Sequence, residues 1–115
     1  MKARTLLKAR IRGQISTNSN REAIGKWREE LERTLASLQF PTIERRRICI
    51  KIEFWIYSQR LQIRRNDLDN LVKPVLDAMK RISIFEDDAD IFQLEATKFP
   101  TEGDEEVLIS VREWN

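Results

Sequence analysis

From Ile48 to Tyr57 the chain alternates without a break: Ile48, Ile50, Ile52, Phe54 and Ile56 are large and apolar, and Cys49, Lys51, Glu53, Trp55 and Tyr57 fall between them. Successive side chains of a strand point to opposite faces, so this run reads as a β-strand with one face given over to a core. Such a strand needs neighbours in a sheet and a second layer to cover its apolar side.

The rest of the sequence supplies both. Between Thr5 and Ile15, Leu7, Ala9, Ile11 and Ile15 fall on one side and Lys8, Arg10 and Arg12 on the other, which predicts a strand with a basic face. That face is either solvated or in contact with nucleic acid. The polar run Ser16-Thr17-Asn18-Ser19-Asn20 reads as a loop, and Ser19 with Glu22 has capping-box spacing. Ile24, Trp27, Leu31, Leu35 and Leu38 then recur at helical spacing, predicting a helix that buries this stripe and ends before Pro41. On that stripe Trp27 is a core residue rather than a base-stacking platform. A second helix is expected from near Asn70 to Ile82, burying Leu71, Val72, Val75, Leu76 and Met79. Pro74 implies that this helix starts late or has an irregular first turn. Ile91–Lys98 and Glu106–Glu113 read as two further strands, and the turn chemistry of Pro100 to Asp104 predicts an antiparallel hairpin between them. The order β-α-β-α-β-β suggests an α+β fold, a two-layer α/β arrangement with a mixed sheet and two helices on one face.

A chain of 115 residues has room for one core, so residues 1–115 are expected to form a single domain. Cys49 is the single cysteine and histidine is absent, which excludes an intramolecular disulfide and a Cys/His zinc site. No apolar run is long enough for a membrane span and no signal-peptide pattern is present, so a soluble, cytoplasmic protein is expected.

The formal net charge of +2 conceals strong segregation. From Arg45 to Arg65 there are seven bases and only Glu53 as an acid, whereas Asn66 to Asp90 holds seven acids against Lys73, Lys80 and Arg81. Carboxylates beside a cationic stretch suit a metal-dependent site that cleaves phosphate esters: the anions hold a hard divalent cation and the bases attract a polyanion. Arg60, Arg64 and Arg65 immediately precede the acids and are candidates for holding such a substrate, with a solvated loop as the alternative.

Asp67 and Asp69 are two apart, so in an extended segment both side chains point the same way and are poised to share a metal. Either could instead cap the following helix. Glu86-Asp87-Asp88-Ala89-Asp90 follows that helix, and a strand-helix-strand passage can return it beside the first pair; Glu86 and Asp90 read as solvated. An EF-hand is a poor fit, with Leu71 and Val72 where a ligand and a glycine belong. An oxygen-only donor set favours Mg²⁺, with Mn²⁺ also plausible. Lys73, one turn beyond Asp69, could neutralise charge on a phosphate or form an ordinary salt bridge with Asp69 or Asp77. Asp77 reads as structural.

The run Asp67-Leu68-Asp69-Asn70-Leu71-Val72-Lys73-Pro74-Val75-Leu76-Asp77-Ala78-Met79, with Glu86-Asp87-Asp88 ahead of a strand, resembles the RusA family of Holliday junction resolvases, which are often prophage-encoded. The resemblance implies a homodimeric, Mg²⁺-dependent crossover junction endodeoxyribonuclease that places paired nicks in four-way DNA junctions during recombination and repair. Carried over by motif, Asp67, Asp69 and Asp88 would bind metal and Lys73 would be the catalytic lysine, with Asp87 the neighbouring candidate. Arg10 and Arg12 would join Arg60, Arg64, Arg65 and Lys73 on the DNA. One stretch departs from the family pattern: in place of a Pro-Pro-Ser-x-Asn type loop after the first strand stands Gln14 to Asn20, shorter and without proline. Two readings from other classes compete, a catalytically inactive DNA-binding dimer of the same fold and a plain metal-binding or interaction domain.

Overall fold

The computed structural model describes residues 4–40, 42–43, 47–63 and 66–114. Among these the order is β1 (Thr5–Arg12), α1 (Ile24–Ser37), β2 (Ile48–Tyr57), α2 (Leu68–Arg81), β3 (Ile91–Thr101) and β4 (Glu106–Glu113), with single 3-10 turns at Ser58–Arg60 and Asp88–Asp90. The fold is α+β with a mixed sheet, as the hydrophobic periods indicate.

The sheet order is β1-β4-β2-β3. β4 runs antiparallel to both β1 and β2, and β3 runs parallel to β2. The expected β3–β4 hairpin is therefore not formed. Although a short turn joins them, β2 lies between, and the connection steps across its end. Burial gives the physical reason. Val107, Ile109 and Val111 of β4 are all buried, as a strand flanked on both sides requires, while Phe92, Gln93, Leu94 and Glu95 of β3 are exposed at the sheet's edge. Pro100 extends β3 beyond Lys98 without harm, because an edge strand need not donate a hydrogen bond outward.

The apolar positions of β1, β2 and β4 face one way and meet α1 and α2. Ile11, Ile50, Ile52, Phe54 and Ile109 pack there with Trp27, Leu31 and Leu35 of α1 and Leu71, Val75 and Met79 of α2. Trp27 is buried as expected, whereas Leu38 is 41% exposed at the end of α1, beyond the reach of the core. The Ser19–Glu22 capping box does not form. The Ser19 hydroxyl is hydrogen-bonded to that of Thr17, and Asn20 Oδ1 accepts from the Ala23 N–H at 3.3 Å instead. α2 begins at Leu68, before Pro74 rather than after it. Pro74 is the helix's seventh residue and is buried, so its missing N–H leaves the Asn70 carbonyl without the usual partner while its ring adds to the core.

Candidate active site

α2 begins where the acidic motif begins. Asp67 occupies the N-cap position in an extended conformation, φ −65° and ψ 148°, yet its side chain makes no capping hydrogen bond. Asp69 lies in the first helical turn, where the helix dipole favours an anion. The pair therefore straddles a helix start and does not lie on an extended strand. Asp67, Asp69 and Lys73 are exposed, and none has an ion pair or side-chain hydrogen bond among the described residues. Capping does not explain these acids, and a salt bridge does not explain Lys73.

A groove of about 440 Å³ runs between α2 and β3. Leu68, Val72, Leu76, Leu94 and Ala96 form its apolar floor, and Asp69, Lys73, Asp77 and Asp88 its polar rim. Asp77 is thus brought to the groove with Asp69 and Lys73.

The structure does not return Asp88 to the first pair. Its Oδ2 lies 3.5 Å from Lys80 Nζ, near the C-terminus of α2. Lys80 is eleven positions beyond Asp69 (80 − 69), which at 1.5 Å per residue is about 16 Å along the axis. β3 gives an independent ruler. The Asn66 carbonyl, adjacent to Asp67, accepts from Lys98, whereas Asp88 precedes Ile91, the first residue of β3. Lys98 lies seven positions beyond Ile91, about 23 Å of strand. The two acidic clusters stand at opposite ends of the groove because α2 runs its full length between them. Accordingly, among the described residues no three Asp, Glu or Cys side chains converge on a point that could hold a metal ion. Asp87 is committed locally, its Oδ1 accepting from the Ala89 N–H at 2.9 Å.

The candidate substrate-binding bases divide. Arg60 has a structural role: its guanidinium pairs with Glu105 and donates to the Ile15 carbonyl at 2.7 Å, and it is mostly buried. Arg10 and Arg12 project from the sheet face opposite the helices and share Glu106 at 3.5 and 3.6 Å, both remaining well exposed. Arg12 also lines a second cleft with Lys26, Tyr57 and Arg60. Arg64 and Arg65 lie outside the described residues.

Residues that sequence reasoning passed over hold the segment ahead of α2. Glu105 accepts from the Ile15 and Tyr57 backbone N–H groups as well as from Arg60, tying the ends of three segments together. Asn66 is buried and donates through Nδ2 to the Arg60 carbonyl at 3.0 Å. Lys98 reaches from β3 to the same loop. A lysine at an inward position of a strand was the available signal for Lys98; Glu105, beside a turn, offered none.

The family model for endodeoxyribonuclease RusA matches residues 3–112. The chain belongs to the RusA family. That membership spans β1 to β4 and includes both acidic clusters, so the fold and the motif on α2 are those of a family of endodeoxyribonucleases. A search among curated proteins finds no match. Among the described residues of this RusA-family chain, no helix is long and apolar enough to cross a membrane.

Proposed function

We propose that this protein is a Mg²⁺-dependent, structure-selective endodeoxyribonuclease that resolves Holliday junctions or related branched DNA by paired phosphodiester hydrolysis, acting in recombination and repair in the cytoplasm. The observation that carries the reading is the state of α2's first turns: two exposed carboxylates, Asp67 and Asp69, with Lys73 one turn on, all without partners among the described residues. Exposed like charges left without a side-chain partner beside one another repel, and they suit an incoming cation.

The donor set fits magnesium. Carboxylate oxygens without histidine or thiolate are the ligands a hard cation takes, and Mn²⁺ accepts the same set. Asp67, Asp69 and Asp88 would hold it, and the chemistry it supplies when bound is charge stabilisation at the phosphoryl group and acidification of water. Lys73 would place its ammonium against the negative charge that develops on the phosphate. Lys73, Arg10, Arg12, Arg64 and Arg65 would hold the DNA backbone, with Arg60 contributing indirectly through the loop it braces.

The separation of Asp88 from Asp67 and Asp69 supports a homodimer. Two copies packed groove to groove, their α2 helices antiparallel, would set Asp67, Asp69 and Lys73 of one protomer against Asp88 of its partner. Twofold symmetry then creates two equivalent sites, as two symmetric nicks require. The apolar floor of Leu68, Val72, Leu76 and Leu94 is the kind of surface such packing buries. The same separation also favours a second reading, a DNA-binding dimer of this fold without turnover.

Incubation of the protein with a synthetic four-way junction and a linear duplex of the same sequences, each with Mg²⁺ or EDTA and beside Asp69→Asn, distinguishes the two. Paired nicks confined to the junction and dependent on both Mg²⁺ and Asp69 are expected. A junction that is bound but uncut in Mg²⁺ and in Mn²⁺ would leave the binding dimer as the function.

A further inference from the structure

The peptide group that leads into Asp67 is held from the sheet. Lys98 stands opposite Phe54 in β3 and is partly buried. Its Nζ donates to the carbonyls of Leu61 at 3.3 Å and Asn66 at 3.2 Å. No carboxylate shares this ammonium among the described residues. A charged donor to neutral carbonyls makes the stronger class of hydrogen bond, and here two of them span from a rigid strand to a loop. Asn66 is held from the other side as well, its N–H donating to the Ile63 carbonyl at 2.8 Å and its side chain to that of Arg60.

The Asn66 carbonyl belongs to the peptide group that ends at the Asp67 nitrogen. Peptide groups are planar, so fixing that oxygen fixes the plane from which Asp67 departs. Asp67 and Asp69 have no side-chain partners of their own among the described residues, and their placement rests on the backbone.

We propose that Lys98 is a positioning residue: it clamps the Asn66–Asp67 peptide and so sets where the Asp67 and Asp69 carboxylates stand at the mouth of the groove. The inference rests on the reading of these two acids as metal-binding. Lys98 touches neither metal nor substrate in this role. Its effect falls on the reacting geometry, to which rates are steeply sensitive, and leaves the encounter with DNA intact.

The test compares the full-length wild type with Lys98→Met, which keeps the stem and loses the donors, and Lys98→Arg, which restores donors. Lys98→Met is expected to bind a four-way junction as tightly as wild type, to cut it about tenfold or more slowly, and to need more Mg²⁺ for half its maximal rate. Lys98→Arg should recover much of that loss. Amide hydrogen exchange in Lys98→Met should accelerate in residues 60–70 and stay unchanged in β2 and β4. An unchanged rate and Mg²⁺ requirement would overturn the proposal, as would exchange rising across the whole sheet, which would mark Lys98 as a general stabiliser. A wild type that cuts nothing would overturn the enzymatic reading instead, and the exchange comparison alone would then decide the clamp: local acceleration upholds it and none refutes it.

Discussion

Lys80 and Asp88 form an ion pair, 3.5 Å from Nζ to Oδ2, at the end of α2 remote from Asp69. Both side chains are substantially exposed, so the pair holds Asp88 only weakly. Asp88 is thereby left available at a place its own chain's Asp67 and Asp69 do not reach.

Mixing variants exposes that arrangement. If the protein acts as the proposed dimer, with each site shared between two protomers, Asp69→Asn and Asp88→Asn should each be inactive on a four-way junction in Mg²⁺. Mixed dimers would carry one site with both lesions and one with neither, so a refolded mixture should regain cleavage as single nicks rather than paired ones. Sites assembled within one protomer predict a mixture as inactive as its components. Gel analysis of nicked against fully resolved product reads the difference.

Trp27 anchors α1 in the core at 1% exposure, and Gly13, at φ +155°, lies close beneath it: an added Cβ would stand 3.2 Å from the indole, a tight approach. Trp27→Ala should lower unfolding stability by about 3–5 kcal/mol. Gly13→Ala should cost about 1–3 kcal/mol, from an unfavourable backbone angle together with the close approach to the indole. Leu38→Ala, on an exposed residue, should stay within about 0.5 kcal/mol. Urea denaturation of the three variants ranks them.

Arg10 and Arg12 share one carboxylate, Glu106, and keep most of their surface in solvent. If they meet DNA phosphates, the Arg10→Ala/Arg12→Ala double variant should bind junction DNA more weakly. Its plot of log binding constant against log salt should be shallower by about one for each phosphate that no longer has an arginine to neutralise it. Binding with an unaltered slope would identify the basic face of β1 as merely solvated.

Much of this fold is written in local periodicity. The bounds of β2 and β4 follow from alternation, and the stripe from Ile24 to Leu35 locates α1. The pairing of β4 was not local information. Neighbours in sequence usually pair in space, and nothing in the turn from Pro100 to Asp104 reports that β2 lies between β3 and β4. Asp67, Asp69 and Lys73 could be picked out because their types and spacing match a chemical need. The position of Asp88 depends on how far α2 carries the chain, so a motif read as one cluster occupies two ends of a helix. In the sequence Arg60 is of one kind with Arg64 and Arg65, and its other role comes from the Glu105 carboxylate and the Ile15 carbonyl, each 45 residues away.

β4 lies in the interior of the sheet although it follows every other element in the chain. Among the described residues β1 pairs only with β4, so during synthesis the strand must wait unpaired until β4 has left the ribosome. Long waits for distant partners slow folding and leave apolar surface open to association. The basic outer positions of β1, Lys8, Arg10 and Arg12, keep that waiting strand charged along one side, a protection against premature strand-to-strand aggregation that is separate from any contact with DNA.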